Sequence, residues 1–191
     1  MKILLLFILS FCIFFTVGLG QTAFLSLGPD LAIPGSFSES MKMNAGTGFG
    51  GSLRLEAVFG KHITGTATVS TLFFGKKQQT YITEQTTTAV TTVPFEIGLK
   101  YYFPRIEQAP SGIFLSIESG IMPTKTHFDY QNSPDADFRE TGWAAAFGAG
   151  YQFWNIESSF RFQYNLTASG YHVYYYDIRI AYAFLRPRSN K

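Results

Sequence analysis

Residues able to do chemistry are sparse in this chain, and their spacing follows a rule. Arg54 and Glu56, Glu96 and Lys100, Glu157 and Arg161, and Asp177 and Arg179 stand two or four positions apart in segments that otherwise carry almost no charge; Glu118 stands alone. In an extended chain an even separation puts both side chains on one face of a strand. The signs nearly balance, with Arg54, Lys100, Arg161 and Arg179 against Glu56, Glu96, Glu118, Glu157 and Asp177. Charges away from water need partners, so a balanced set has two uses. It lines or gates a narrow polar path, or it fills an interior as a salt-bridged plug.

Other constellations are weaker. The histidines are His62, His127 and His172. His127-Phe128-Asp129 has the composition of an oriented base, but no nucleophile spacing accompanies it. No His, Asp or Glu pattern has metal-ligand spacing. The glycines between Gly46 and Gly51 lack the Lys-Ser/Thr ending of a phosphate loop. No catalytic residue, metal or cofactor is therefore expected.

The elements that position these charges are β-strands. The clearest is the last, residues 173–184. Tyr174, Tyr176, Ile178, Ile180, Tyr182 and Phe184 alternate with Val173, Tyr175, Asp177, Arg179, Ala181 and Ala183. A period of two with unlike faces is a strand signal. The same alternation predicts strands near residues 23–31, 47–58, 62–74, 92–103, 112–122, 142–153 and 156–166, with Pro94 near the start of the fourth. That makes eight, joined up and down. Residues 34–45, 75–89 and 123–140 read as long loops at one end. The threonines of 75–89 allow its edges to extend as strand.

Composition narrows the class. The chain has 191 residues, enough for one domain, with 17% aromatic and only 15% charged residues. Ordinary soluble domains carry about 25% charge, so part of this surface does not face water. A net charge of +2 without a basic stripe gives no case for nucleic acid. Met1-Lys2, the apolar run 3–15 and Gly18-Leu19-Gly20 read as a cleaved signal peptide over residues 1–20. Export is implied, with a barrel domain over 21–185 and a basic tail over 186–191. Cys12, the one cysteine, falls inside the signal, so the mature chain is expected to have no disulfide.

Alternation alone fits a soluble barrel as well as a membrane barrel. Two features separate them. The polar face of strand six reads Gly142, Ala144, Ala146, Gly148, Gly150, Gln152, which suits the crowded lumen of a narrow barrel. The charges lie sparsely among such small residues and in nearly balanced signs, as pairing inside a barrel requires; the apolar face carries Trp143, Tyr101, Tyr151, Tyr164, Tyr174 and Tyr182, candidates for the interfacial girdles. The expected fold is an all-β, eight-stranded, up-and-down antiparallel transmembrane β-barrel. Eight strands leave room only for side chains, which favours the plug over the path.

Gly98-Leu99-Lys100-Tyr101-Tyr102-Phe103, Gly148-Ala149-Gly150-Tyr151, the terminal Ile180-Ala181-Tyr182-Ala183-Phe184 and the signal peptide together resemble the outer-membrane β-barrel family, the small OmpA/OmpX-type and porin-like barrels. The resemblance covers nearly all of the mature chain. It implies a Gram-negative outer-membrane location, contact with outer-membrane lipid, and delivery by periplasmic chaperones to the barrel-assembly machinery. Tyr182 and Phe184 would be the residues read by that machinery. It implies a structural or interaction role, with loops offered to an extracellular ligand of unspecified kind. The alternatives are a narrow porin for small solutes and a lipid-modifying enzyme. The His-x-Ser of a lipid A deacylase is absent.

Overall fold

The computed structural model describes residues 23–35, 45–81, 84–103, 106, 111–131, 133–168 and 172–185. The signal peptide over 1–20, the tail over 186–191 and most of the 34–45 loop lie outside the described residues. Nine strands follow in order: β1 (Ala23–Pro34), β2 (Ala45–Val58), β3 (Ile63–Tyr81), β4 (Glu84–Thr92), β5 (Phe95–Tyr102), β6 (Gly112–Tyr130), β7 (Ala136–Phe153), β8 (Ile156–Leu166) and β9 (His172–Leu185).

Every pairing is antiparallel. β9 returns to β1, with Leu27 opposite Tyr182 and Leu31 opposite Ile178, and closes the sheet. β4 and β5 both lie between β3 and β6. They are the two halves of one stave, so the closed barrel has eight. Pro94 explains the break. It has no N–H to give to a ladder, and it sits mid-stave rather than at the start of a strand. The bonds on either side survive: Val93 donates to the Pro123 carbonyl at 2.9 Å, and Ser70 donates to the Pro94 carbonyl at 3.0 Å.

Two segments expected as loops are largely strand. β3 runs on to Tyr81 and returns as β4 from Glu84; β6 runs on to Tyr130 and returns as β7 from Ala136. β4 also pairs with β6 here, with Thr86 opposite Tyr130 and Thr88 opposite Phe128. The four strands form one ladder rising past the end of β8. β8 stops at Leu166, opposite Trp143 of β7. Above the apolar belt no face has to be greasy, so the period of two fades from the sequence while the backbone ladder continues.

The faces sort as the alternation requires. Phe160, Ile178, Ile97, Phe147 and Ile117 are exposed on the outer wall, whereas Glu96 and Arg161 are buried within. No charged side chain stands at an outward position between the aromatic bands, among the described residues. From Trp143 to Tyr151, and on to Phe153, β7 has roughly the nine to eleven residues a tilted strand needs to cross a bilayer.

The inward face is crowded. A Cβ on Gly120 would overlap the Phe95 carbonyl, and one on Gly50 would overlap that of Thr71. Backbone cannot retreat as a flexible side chain can. Gly120→Ala should therefore destabilise the barrel by about 1–3 kcal/mol. Gly60→Ala, at a turn with open space around its Cβ position, should not. Urea unfolding followed by loss of the fast-migrating unboiled band on a gel checks both.

Candidate functional site: an ionic lumen closed at both ends

The structure places all nine expected charges in the lumen and joins them in one network. Arg54 of β2 reaches Glu118 of β6 and Glu157 of β8, both at 2.7 Å. Lys100 of β5 bonds Glu56 and Glu157, again at 2.7 Å each. Arg179 of β9 meets the same Glu157 at 3.0 Å. Arg161 of β8 holds Glu118 at 2.9 Å, lies 3.6 Å from Glu96 and pairs with Asp177. Glu157 thus serves three cations, and Arg54 and Arg161 share Glu118. These partners come from staves spread round the barrel, so the network ties the wall to itself across its axis.

One member was not among the expected charges. Asp30 is buried in β1, accepts a hydrogen bond from Ser52 at 3.0 Å and lies 3.8 Å from Arg179. Its parity with Ser26 and Gly28 was the available signal. With Asp30, six carboxylates face four cations in the lumen. Neutral donors supply what the cations do not. Thr64 and Tyr102 donate to Glu56 at 2.8 and 2.9 Å, and Gln163 donates to Glu96. Other hydroxyls occupy spare guanidinium donors: Arg54 bonds Thr68 at 2.9 Å, and Arg179 bonds Ser52 and Ser26 at 2.7 and 3.1 Å.

A second feature differs from the expected small, ionic interior. The lumen is apolar above and below the charges. Toward the far end Ala32, Leu72, Phe74, Val90, Met122, Ala144 and Tyr175 form one buried cluster, with Phe74 edge-on to Tyr175 at 5.7 Å. At the end where β1 begins and β9 stops, Tyr102, Ile106 and Phe114 form another, with Val58 packed against it. The Lys100 ammonium sits 4.4 Å from the Phe114 ring centroid, so a cation–π contact joins this lid to the network.

The remaining expected residues lie apart from this site. Tyr182 and Phe184 are exposed on the outer wall at 54% and 49%. His62, at the β2–β3 turn, approaches the Tyr102 carbonyl at 2.9 Å and stacks on Tyr101. His127 bonds Asp137 across the β6–β7 ladder at 2.8 Å, rather than Asp129. Lys125 shares that carboxylate at 2.8 Å. Hydrogen bonds from Lys125 and His127 hold the Asp137 carboxyl below its ordinary range. This cluster is exposed. Among the described residues no group of His, Cys, Asp and Glu has the arrangement of a metal site.

A network this buried is sensitive to losing one member. Glu157→Gln leaves Arg54, Lys100 and Arg179 short of a shared counter-charge. It should cost about 3–5 kcal/mol, the range for breaking a buried pair from one side. Asp137→Asn, on the exposed ladder, should leave barrel stability unchanged. Urea titration of both variants in the same detergent micelle provides the comparison.

No protein-family model matches the chain, and no curated protein matches it. Solved structures do. Ail, the attachment invasion locus protein of Yersinia pestis, in complex with the heparin analogue sucrose octasulfate, superposes with a TM-score of 0.59 at 12% identity, over 86% of this chain and 99% of Ail. The N-terminal β-barrel domain of Pseudomonas aeruginosa OprF gives 0.52 at 10% identity, over 86% and 99%. Neisserial surface protein A gives 0.50 at 11% identity, over 85% and 97%. Identities this low speak for architecture. In its closed eight-stave sheet, its apolar outer wall and its packed lumen, the chain has the fold of the small outer-membrane β-barrels.

Proposed function

We propose that this chain is an outer-membrane barrel of interaction type, a sealed anchor that holds a stiff ladder outside the cell. The observation that carries the reading is the ladder of β3, β4, β6 and β7. It extends beyond the stave ends of β8 and ends in a free edge. Among the described residues no strand pairs with residues 136–139 on the side of β7 away from β6. An unpaired edge offers backbone N–H and C=O groups to an extended partner segment. Phe138, 47% exposed on one face, and Asp137 and Arg139 on the other would add side-chain selectivity. Small outer-membrane barrels have short periplasmic turns and longer extracellular connections, which supports a ladder facing outward, with the start of β1 and the end of β9 toward the periplasm. The architecture shared with Ail, an attachment protein by name, supports this orientation of effort.

The narrow-pore reading has less support. A continuous path would have to cross two apolar lids and a network in which every cation is engaged. Inserted into planar bilayers, the chain should give no steady open current.

The interaction role is tested on cells displaying the chain, applied to immobilised extracellular-matrix proteins. Replacing residues 125–139 with Asn-Gly closes the hairpin at the Thr124–Glu140 pair and removes the free edge. Adhesion should fall to the level of cells without the chain, while the unboiled gel band still migrates fast. Undiminished adhesion would remove the ladder from the role.

A further inference from the structure

The free edge of β7 carries a charge pattern that complements itself. Ala136, Asp137, Phe138 and Arg139 are all exposed, and among the described residues they have no strand beside them except β6. Successive side chains alternate faces. Asp137 and Arg139 therefore share the outward face, with Phe138 between them on the other. Asp137 is engaged by Lys125 and His127 of its own chain, at 2.8 Å each. Arg139 is not so placed. It stands across the ladder from Lys125, a like charge, and its side chain makes no hydrogen bond or ion pair among the described residues. Like charges directly opposite are destabilising, so an acid on the open side of Arg139 would relieve it.

An open edge accepts an extended strand, and here charge selects which strand. Consider two copies paired antiparallel with Phe138 on the two-fold axis. Asp137 of each copy then stands opposite Arg139 of the other, and the two Phe138 side chains meet on the opposite face. Centring the axis on Asp137 sets acid against acid, and centring it on Arg139 sets base against base. A parallel pairing in register also sets like against like. Opposite charges favour a cross-strand pair and like charges oppose it, so only the first arrangement is stabilised. Charged residues commonly keep an edge from joining other chains. These two turn away strands of another pattern and admit a copy of the same chain. The axis also fixes where that copy sits. A half-turn about the sheet normal reverses β7, and with it the direction from ladder to bilayer, so the second barrel lies in a facing membrane.

We propose that the β7 edge is a homotypic contact: residues 136–139 of two copies in facing membranes pair antiparallel about Phe138, and Asp137 and Arg139 select the partner. The inference rests on the free edge and the outward orientation given under Proposed function, and it names a partner for that edge. One pairing of four residues is weak, and many copies on each surface act together.

The test mixes two differently coloured populations of cells displaying the full chain. The host is one whose surface glycolipid lacks long sugar chains, so that the membranes can approach. Wild-type cells should form clumps of both colours. Asp137→Arg and Arg139→Asp each oppose like charges in a self-pairing, and clumping within either variant should fall by about tenfold or more. Mixing the two variants restores both opposite-charge pairs, and clumps of both colours should return to near the wild-type level. Three results each overturn the pairing: wild-type cells that stay dispersed, single variants that clump as the wild type does, or a mixture that stays dispersed although both variants give the fast-migrating unboiled band. Matrix adhesion keeps this failure apart from failure of the interaction role. Dispersed cells whose adhesion still depends on residues 125–139 remove the homotypic contact alone; if adhesion does not depend on them either, both fall.

Discussion

The constraint on which this structure depends is the width of an eight-stave lumen. A sheet closed with so few strands leaves a bore that side chains fill. Any charge placed inside is cut off from bulk water and must find its counter-charge within that bore. Arg54, Lys100, Arg161 and Arg179 meet this by sharing carboxylates rather than by forming separate pairs, with Glu157 and Glu118 as the shared points. Because the partners sit on different staves, the same bonds resist flattening of the cylinder. The inward glycines follow from the same constraint, since neighbouring backbones leave no space for a Cβ at Gly50 or Gly120.

Buried ion pairs are weak evidence for stability when compared with apolar packing of equal volume. The lids make that comparison within one molecule. Where the lumen nears its two ends, Leu72, Phe74, Val90, Met122 and Tyr175 on one side and Tyr102 and Phe114 on the other take over the filling. They also keep water from the charges between them, which raises the strength of every pair they enclose. The ionic layer and the apolar layers therefore act together.

Much of this was legible in the sequence. Parity along residues 173–184 separated the lipid face from the lumen face, and the same parity found nine of the ten buried charges. Asp30 escaped because its strand is short of other ionic residues, although Ser26 and Gly28 mark its face. The lids escaped for a different reason. Leu72, Phe74 and Tyr175 are large apolar or aromatic residues at inward positions, beside Phe73 and Tyr174 at outward ones, and alternation has no contrast to show where both faces are greasy. The Thr- and Gln-rich ladder was legible only in part: its threonines allowed strand at the edges of 75–89, but strands that answer to hydrogen bonding alone leave no period of two to mark their length. Pro94 looked like a strand boundary because proline interrupts a ladder, and only the pairing of β4 and β5 to the same two neighbours shows that the stave continues.

The length of β6 has a consequence for encounter. Its 19 residues, at about 3.3 Å each, far exceed the roughly 25 Å height of the apolar band of such barrels. The surplus is a braced mast rather than a tethered rope, since β4 and β7 flank it on either side. On the proposed outward orientation, such a mast would carry its tip past groups that lie close to the bilayer. A partner of the kind proposed would meet strands already paired, so little ordering of this chain would have to accompany its capture.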